Sequence, residues 1–173
     1  MTTSTETLTA TQVYRVYIKA TPQAIWDAIT QPEWSQRYGF GGYVDYDLQP
    51  GGHYRARPSA EFRAKADAEG HDLPDVVIDG EVLEASAPHR LVQTFHMMMD
   101  EGTASEAPTR LTYDIKETGP GVCSLTLTHE FEGAPTTAQI LSGAWEQHGA
   151  GGGWAWILSD LKTVLETGHG FNG

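Results

Sequence analysis

The chain is short of cysteine, of basic residues and of long apolar runs, and each shortage removes a class of function. Its one cysteine, Cys123, cannot close an internal disulfide and has no companion thiol with which to build a zinc site. Eleven Lys and Arg stand against 23 Asp and Glu, a formal charge of -12. A surface of that sign repels phosphate backbones and anionic lipid, so nucleic acid is not an expected partner. No apolar run approaches the roughly 18 to 20 residues that cross a bilayer, so no membrane span is expected. The opening MTTSTETLTATQ has neither the basic flank nor the apolar stretch of a signal peptide, and a cytoplasmic location is expected. Neither a GxGxxG after a strand, nor a P-loop, nor GxSxG is present, and the glycine-rich GAGGGW follows a segment of helical pattern. No cofactor is expected. The seven histidines include no HxH or HExxH pair, His71 and His169 fall in segments expected to be flexible, and His96 and His129 alternate to opposite faces, so no metal site is expected either.

What is present is a succession of periodicities that fits one domain of 173 residues. The run VYRVYI (13 to 18) alternates with a period of two, as a half-buried strand does. Thr21-Pro22 then offers an N-cap followed by proline at the first helical position, and Ile25, Trp26 and Ile29 recur at helical spacing. A second short helix is predicted over Pro32 to Tyr38. Six further strand-like runs follow: YVDYDL, HYRAR, VVIDGEVLEA, RLVQTFHMM, RLTYDIKE and VCSLTLTHEF. Turn signals at Pro50-Gly51-Gly52, Ala87-Pro88 and Gly119-Pro120-Gly121 separate them, which is the pattern of an antiparallel meander. Residues 58 to 75 are too long and too charged for a tight turn; they are expected to form a mobile insertion outside the core, with a turn or two of exposed helix between Glu61 and Glu69. A helix is predicted from Thr136 to Gln147, then a break at Gly149-Ala150-Gly151-Gly152-Gly153. In the last segment Trp154, Ile157, Leu158, Leu161, Val164 and Leu165 form one apolar stripe, with Ser159, Asp160, Lys162, Thr163 and Glu166 opposite and Gly168 as the terminal cap. Residues 1 to 11 and 169 to 173 are expected to be flexible ends of a domain spanning 12 to 168.

This order of elements, and five local motifs, resemble the START-like (SRPBCC, helix-grip) superfamily. The closest resemblance is to the subfamily named for the activator of the heat-shock-protein-90 ATPase. The motifs stand here as IKATPQAIWDAITQPEW (18 to 34), LQPGGHYR (48 to 55), GEVLEASAPHRLVQTF (80 to 95), LTLTHEF (125 to 131) and GWAWILSDLKTVLE (153 to 166). The resemblance implies an α+β fold in which a curved antiparallel sheet of about seven strands wraps around a long C-terminal helix, with two short helices after the first strand. It also implies a ligand cavity between sheet and helix. Members of the superfamily include lipid carriers, aromatase/cyclases and hormone receptors, so the fold alone leaves the chemistry open.

Alternation assigns the side chains that face inward: Leu91, Gln93, Phe95 and Met97 on one strand, Leu111, Tyr113 and Ile115 on the next, and Cys123, Leu125, Leu127, His129 and Phe131 on the last. Cys123 reads as a small core hydrophobe and Trp26 as a core plug. Gln93 and His129 are polar residues on apolar faces, as in small-molecule pockets. His129 is open to three readings: a core histidine satisfied by hydrogen bonding, a ligand contact, or an acid/base catalyst. Trp34, Tyr38, Phe40, Trp145 and Trp154 are placed by the same fold near the cavity mouth. The expected ligand-binding set is therefore Trp34, Phe40, Met97, Tyr113, His129, Phe131, Trp145 and Trp154, with His129 a candidate for catalysis. Three functions fit: a carrier or sensor of a small hydrophobic or aromatic molecule; a cyclase, dehydratase or hydrolase acting on a polyketide-like or aromatic substrate through His129 or Glu130 with a tyrosine; or a co-chaperone that stimulates a chaperone ATPase. The chain is expected to act as a monomer or homodimer.

Overall fold

Seven strands form one antiparallel sheet in the order β1-β7-β6-β5-β4-β3-β2, in a computed structural model that describes residues 10–148 and 151–171. The strands are β1 (Thr11–Ile18), β2 (Tyr43–Tyr46), β3 (His53–Arg57), β4 (Ile78–Ser86), β5 (Arg90–Met97), β6 (Thr109–Gly119) and β7 (Val122–Glu130). Between β1 and β2 lie α1 (Pro22–Thr30) and α2 (Pro32–Ser35), and this helical link carries the chain from one edge of the sheet to the other. From β2 onward each strand pairs with its successor until β7 returns to β1. The short turns between β2 and β3, β4 and β5, and β6 and β7 permit nothing else, since parallel neighbours need a crossover of a dozen residues or more; the link carrying α3 is long enough for one, yet β3 and β4 also pair antiparallel.

The local signals act as the sequence predicts. Thr21 Oγ1 accepts from the Ala24 N–H at 3.1 Å, with Pro22 opening α1. The C-terminal helix α6 (Gly153–Thr167) ends at Gly168, whose φ of 86° is left-handed and whose N–H reaches the Val164 carbonyl at 2.9 Å. Trp154, Leu158, Leu161 and Val164 of α6 enter the main core beside Ile18, Ile25, Trp26, Leu111, Leu125 and Leu127. Each such burial contributes roughly 1.5 to 3 kcal/mol. Trp26 and Cys123 are both in this core, as expected.

The structure departs from the sequence reading in four places. The second helix stops at Ser35 instead of Tyr38. The helix expected over 136 to 147 is α5 (Pro135–Leu141) followed by a separate 3-10 turn at Glu146–His148. Of the glycine run behind this break, Gly149 and Ala150 lie outside the described residues, as does most of the N-terminal segment. Gly153 shows why the break is there: its φ is +68°, and a Cβ on it would meet the Leu141 carbonyl oxygen at 2.2 Å.

The third departure is the insertion. Residues Ala60–Ala68 form helix α3, capped by Ser59, and its Ala66 joins Leu73 and Val77 in a second buried cluster, with Phe62, Ile78 and Met99 against it. The insertion therefore packs on the sheet through its own small core, because its apolar residues recur on one side of an otherwise charged helix.

The fourth is Asp160. Its place opposite the apolar stripe predicts an exposed side chain, yet it is 1 % exposed. Oδ2 accepts the Gly39 N–H at 2.9 Å and Oδ1 the Phe171 N–H at 2.7 Å. Asp160 thus ties both the loop after α2 and residues 169–171 to α6. Helical periodicity alone cannot reveal a third layer of chain folding over the polar side. A further short helix, α4 (Glu101–Ala104), is closed by a capping box between Asp100 and Thr103.

Candidate functional site

The inner face of the sheet, under α6, gathers aromatic and polar side chains from five strands. Register places them: Gln93 of β5 is opposite Leu111 of β6 and Val82 of β4, while His129 of β7 is opposite Leu111 and Gln12 of β1. Gln93 and His129 are both 0 % exposed, on the apolar face to which alternation assigns them.

His129 sits in a closed hydrogen-bond chain. The Trp154 indole N–H donates to Nδ1 at 3.1 Å, Nε2 lies 2.7 Å from Thr109 Oγ1, and that hydroxyl donates to the Phe95 carbonyl at 2.7 Å. Since Nδ1 accepts and the Thr109 proton is committed to Phe95, Nε2 carries the ring proton. Both nitrogens are occupied. Burial lowers the pKa of His129 to about 3, so the ring is neutral across the physiological range. This is the arrangement of a satisfied core histidine: no lone pair is left to take a substrate proton.

Around it runs a continuous series of rings. Phe131 stacks on His129 at 3.8 Å, Phe95 meets the His129 edge at 4.9 Å, and Trp154 lies 6.1 Å from Phe95. The series continues from Phe95 to Tyr54 at 6.5 Å and from Tyr54 to Tyr46 at 4.7 Å. Tyr46 Oη donates to Gln93 Oε1 at 2.5 Å, and Tyr38 Oη donates to the Ala28 carbonyl at 2.9 Å. Burial raises the pKa of Tyr38, Tyr46, Tyr54 and Tyr113; in Tyr38, Tyr46 and Tyr113 the neighbouring tyrosines raise it further. These phenols are gathered closely enough to repel one another's charged forms, and all four stay protonated.

Of the eight residues expected to bind ligand, the structure brings Met97, His129, Phe131 and Trp154 into the buried core, with Tyr113 half-buried on the same face. The other three are elsewhere. Trp34 packs partly on the core and carries the Arg37 guanidinium 4.5 Å above its ring. Phe40 is 44 % exposed, between Phe62 and Trp156 on the outer side of α6. Trp145 is 40 % exposed, with its indole N–H on Gln139 Oε1. Tyr46 and Tyr54 are missing from the expected set, although the same alternation puts Tyr46 beside Val44 and Tyr54 beside Ala56 on the inner face. A shallow depression of about 390 Å³ lies on the opposite side of the sheet, among Arg90, Arg110, Asp114 and Glu130. Its ion pairs, such as Arg90–Asp114 at 2.7 Å, are solvent-exposed and of small energetic weight. Among the described residues no three His, Cys, Asp or Glu side chains are grouped as metal ligands, and no helix is long and apolar enough to cross a membrane.

A sheet of this order closed by a C-terminal helix defines a helix-grip protein of the START-like class. The sequence profile described as "Activator of Hsp90 ATPase homolog 1-like protein" matches residues 19–166, and the chain belongs to that family. No curated protein matches it. Among solved structures it is similar to an HSP90 activator from Plasmodium falciparum, with 15 % identity and a TM-score of 0.62, over 91 % of this chain and 96 % of that one. It is also similar to the Aha1 dimer from Colwellia psychrerythraea, with 19 % identity and a TM-score of 0.60, over 92 % and 98 % of the two chains. CalU16 from Micromonospora echinospora shares 18 % identity with a TM-score of 0.54, over 79 % and 69 %. At such identities these likenesses concern the fold.

Proposed function

We propose that the chain binds a small hydrophobic or aromatic molecule between the inner face of the sheet and α6, as a carrier or sensor. The observation that carries this reading is an aromatic inner wall, Phe95, Phe131, Tyr46, Tyr54 and Trp154, interrupted by the buried amide of Gln93 and the half-buried phenol of Tyr113. An apolar wall with a few polar groups suits orientation of a ligand. The His129 chain favours binding over acid/base catalysis, because its ring nitrogens are already engaged. Native mass spectrometry of freshly purified protein, followed by tryptophan-fluorescence titration with apolar ring compounds, tests the proposal. Retention of a small molecule, or saturable quenching, supports it; no retained mass and no quenching at high micromolar probe overturn it.

The family and the similarity to an HSP90 activator support a second reading, a co-chaperone. Addition of the protein to a purified heat-shock-protein-90 ATPase decides this one: stimulated turnover favours it, and an unchanged rate with no complex on gel filtration rejects it.

A further inference from the structure

We infer that Tyr54 and Tyr113 are the polar anchor of this pocket and select neutral ring compounds carrying a carbonyl oxygen, an inference that rests on the binding function proposed above. Tyr54 is 6 % exposed, on β3 directly opposite Tyr46 of β2. The hydroxyls of Tyr46 and Tyr38 are committed to Gln93 and Ala28, whereas those of Tyr54 and Tyr113 have no protein partner among the described residues. Neither hydroxyl is sealed off as a buried unpaired atom, so both stand accessible on the inner face as donors that a ligand from outside the chain can meet. Tyr113 is in register with Leu91 and Leu127, one row from Gln93 and Leu111, which puts it toward the same part of the inner face. Tyr38, Tyr46 and Tyr113 pack on the main core yet remain only half-buried. Inward-facing side chains that keep accessible surface are ones a ligand can reach.

The chemistry of the wall narrows what that space takes. Two free phenol groups are donors in search of an acceptor, and the carbonyl oxygen of a ketone or quinone is a strong neutral acceptor. Tyr46, Tyr54, Phe95 and Trp154 supply ring faces and edges against which a flat apolar body can lie. An anion is disfavoured, because among the described residues no Lys or Arg is buried and the one buried charged residue, Asp160, is itself acidic. A carboxylate or phosphate placed here loses its hydration with no cation to replace it.

Three probes of nearly equal shape test the inference: 2-acetylnaphthalene, 2-ethylnaphthalene and 2-naphthoate, titrated against the parent chain, Tyr54→Phe, Tyr113→Phe and the exposed control Tyr17→Phe. The ketone is expected to bind about three- to tenfold more tightly than the hydrocarbon, the worth of one or two hydrogen bonds, and naphthoate more weakly than both. Each inner Tyr→Phe change is expected to reduce the ketone's advantage without changing hydrocarbon affinity, while Tyr17→Phe leaves it intact. The C=O stretch of the bound ketone is expected at lower frequency in the parent than in the inner variants, a shift that loss of stability cannot produce. Equal binding of ketone and hydrocarbon by the parent, tightest binding of naphthoate, or an undiminished ketone preference in both inner variants overturns the anchor and leaves the pocket standing. Absence of binding by all three probes overturns the pocket and the anchor together.

Discussion

Trp154 on α6 and His129 on β7 are joined by an indole N–H donating to Nδ1 across 3.1 Å, a single bond that links the closing helix to the sheet and fixes the histidine's tautomer. Protonation of Nδ1 destroys that bond. His129 has a pKa lowered to about 3 by burial, against about 6.5 in an unfolded chain. The unfolded state therefore takes up a proton that the folded state refuses. The stability attached to this difference is fully present above pH 6.5 and is lost as pH falls toward 3, at about 1.4 kcal/mol per pH unit.

Urea unfolding measured from pH 7 to pH 4 should accordingly show one more linked proton in the parent than in His129→Gln. The variant's stability should fall less steeply with acid. Parallel slopes for the two proteins would mean that the ring is charged or hydrated in the fold.

Asp160→Ala should destabilise by roughly 2 to 4 kcal/mol, since hydrogen bonds to a charged group are worth about 1.5 to 3 kcal/mol each and two backbone N–H groups lose their acceptor. Asp160→Asn should cost less, because its amide oxygen still accepts from one of them. Hydrogen exchange should rise at Gly39 and Phe171, the two donors, ahead of the central strands. An exposed helical aspartate gives almost no effect in either measurement, so the two descriptions of this residue are readily separated.

Leu161 is 1 % exposed in the middle of the buried stripe of α6. Leu161→Ala should cost roughly 2 to 5 kcal/mol through lost burial and the space left behind, and Leu161→Asp more, because its charge is buried without a partner. Melting within a degree or two of the parent for both variants would show that α6 does not pack on this face.

The four interior tyrosines predict behaviour at the other end of the pH scale. Their folded pKa values lie above the value of about 10 that they take when unfolded, so their contribution is complete below pH 10 and is lost as pH rises beyond it. Absorbance titration near 295 nm should show Tyr38, Tyr46, Tyr54 and Tyr113 withheld from ionisation in the folded chain and released together on alkaline unfolding. A smooth titration of all seven tyrosines around pH 10 with the fold retained would rule out their burial.

Much of the architecture was legible in the amino-acid order because it depends on short-range rules. Period-two runs made the strands, Thr21-Pro22 and Gly168 bounded the helices, and turns too short for a crossover made β2–β3, β4–β5 and β6–β7 antiparallel, whereas the long link between β3 and β4 left that pairing to the tertiary structure. Alternation likewise put Gln93 and His129 inward. What only the tertiary structure decided is what meets each inward or outward face. His129 became a saturated core residue because Trp154 and Thr109, distant in sequence, arrive at its two nitrogens. Phe40 and Trp145 moved out of the expected pocket because the loops that carry them follow the outside of α6 and α5. Asp160 became buried because the chain folds back over the polar side of a helix. Periodicity reports which side of an element is apolar; a hydrogen bond or a covering loop depends on the chain's path in three dimensions, for which residue spacing holds no signal.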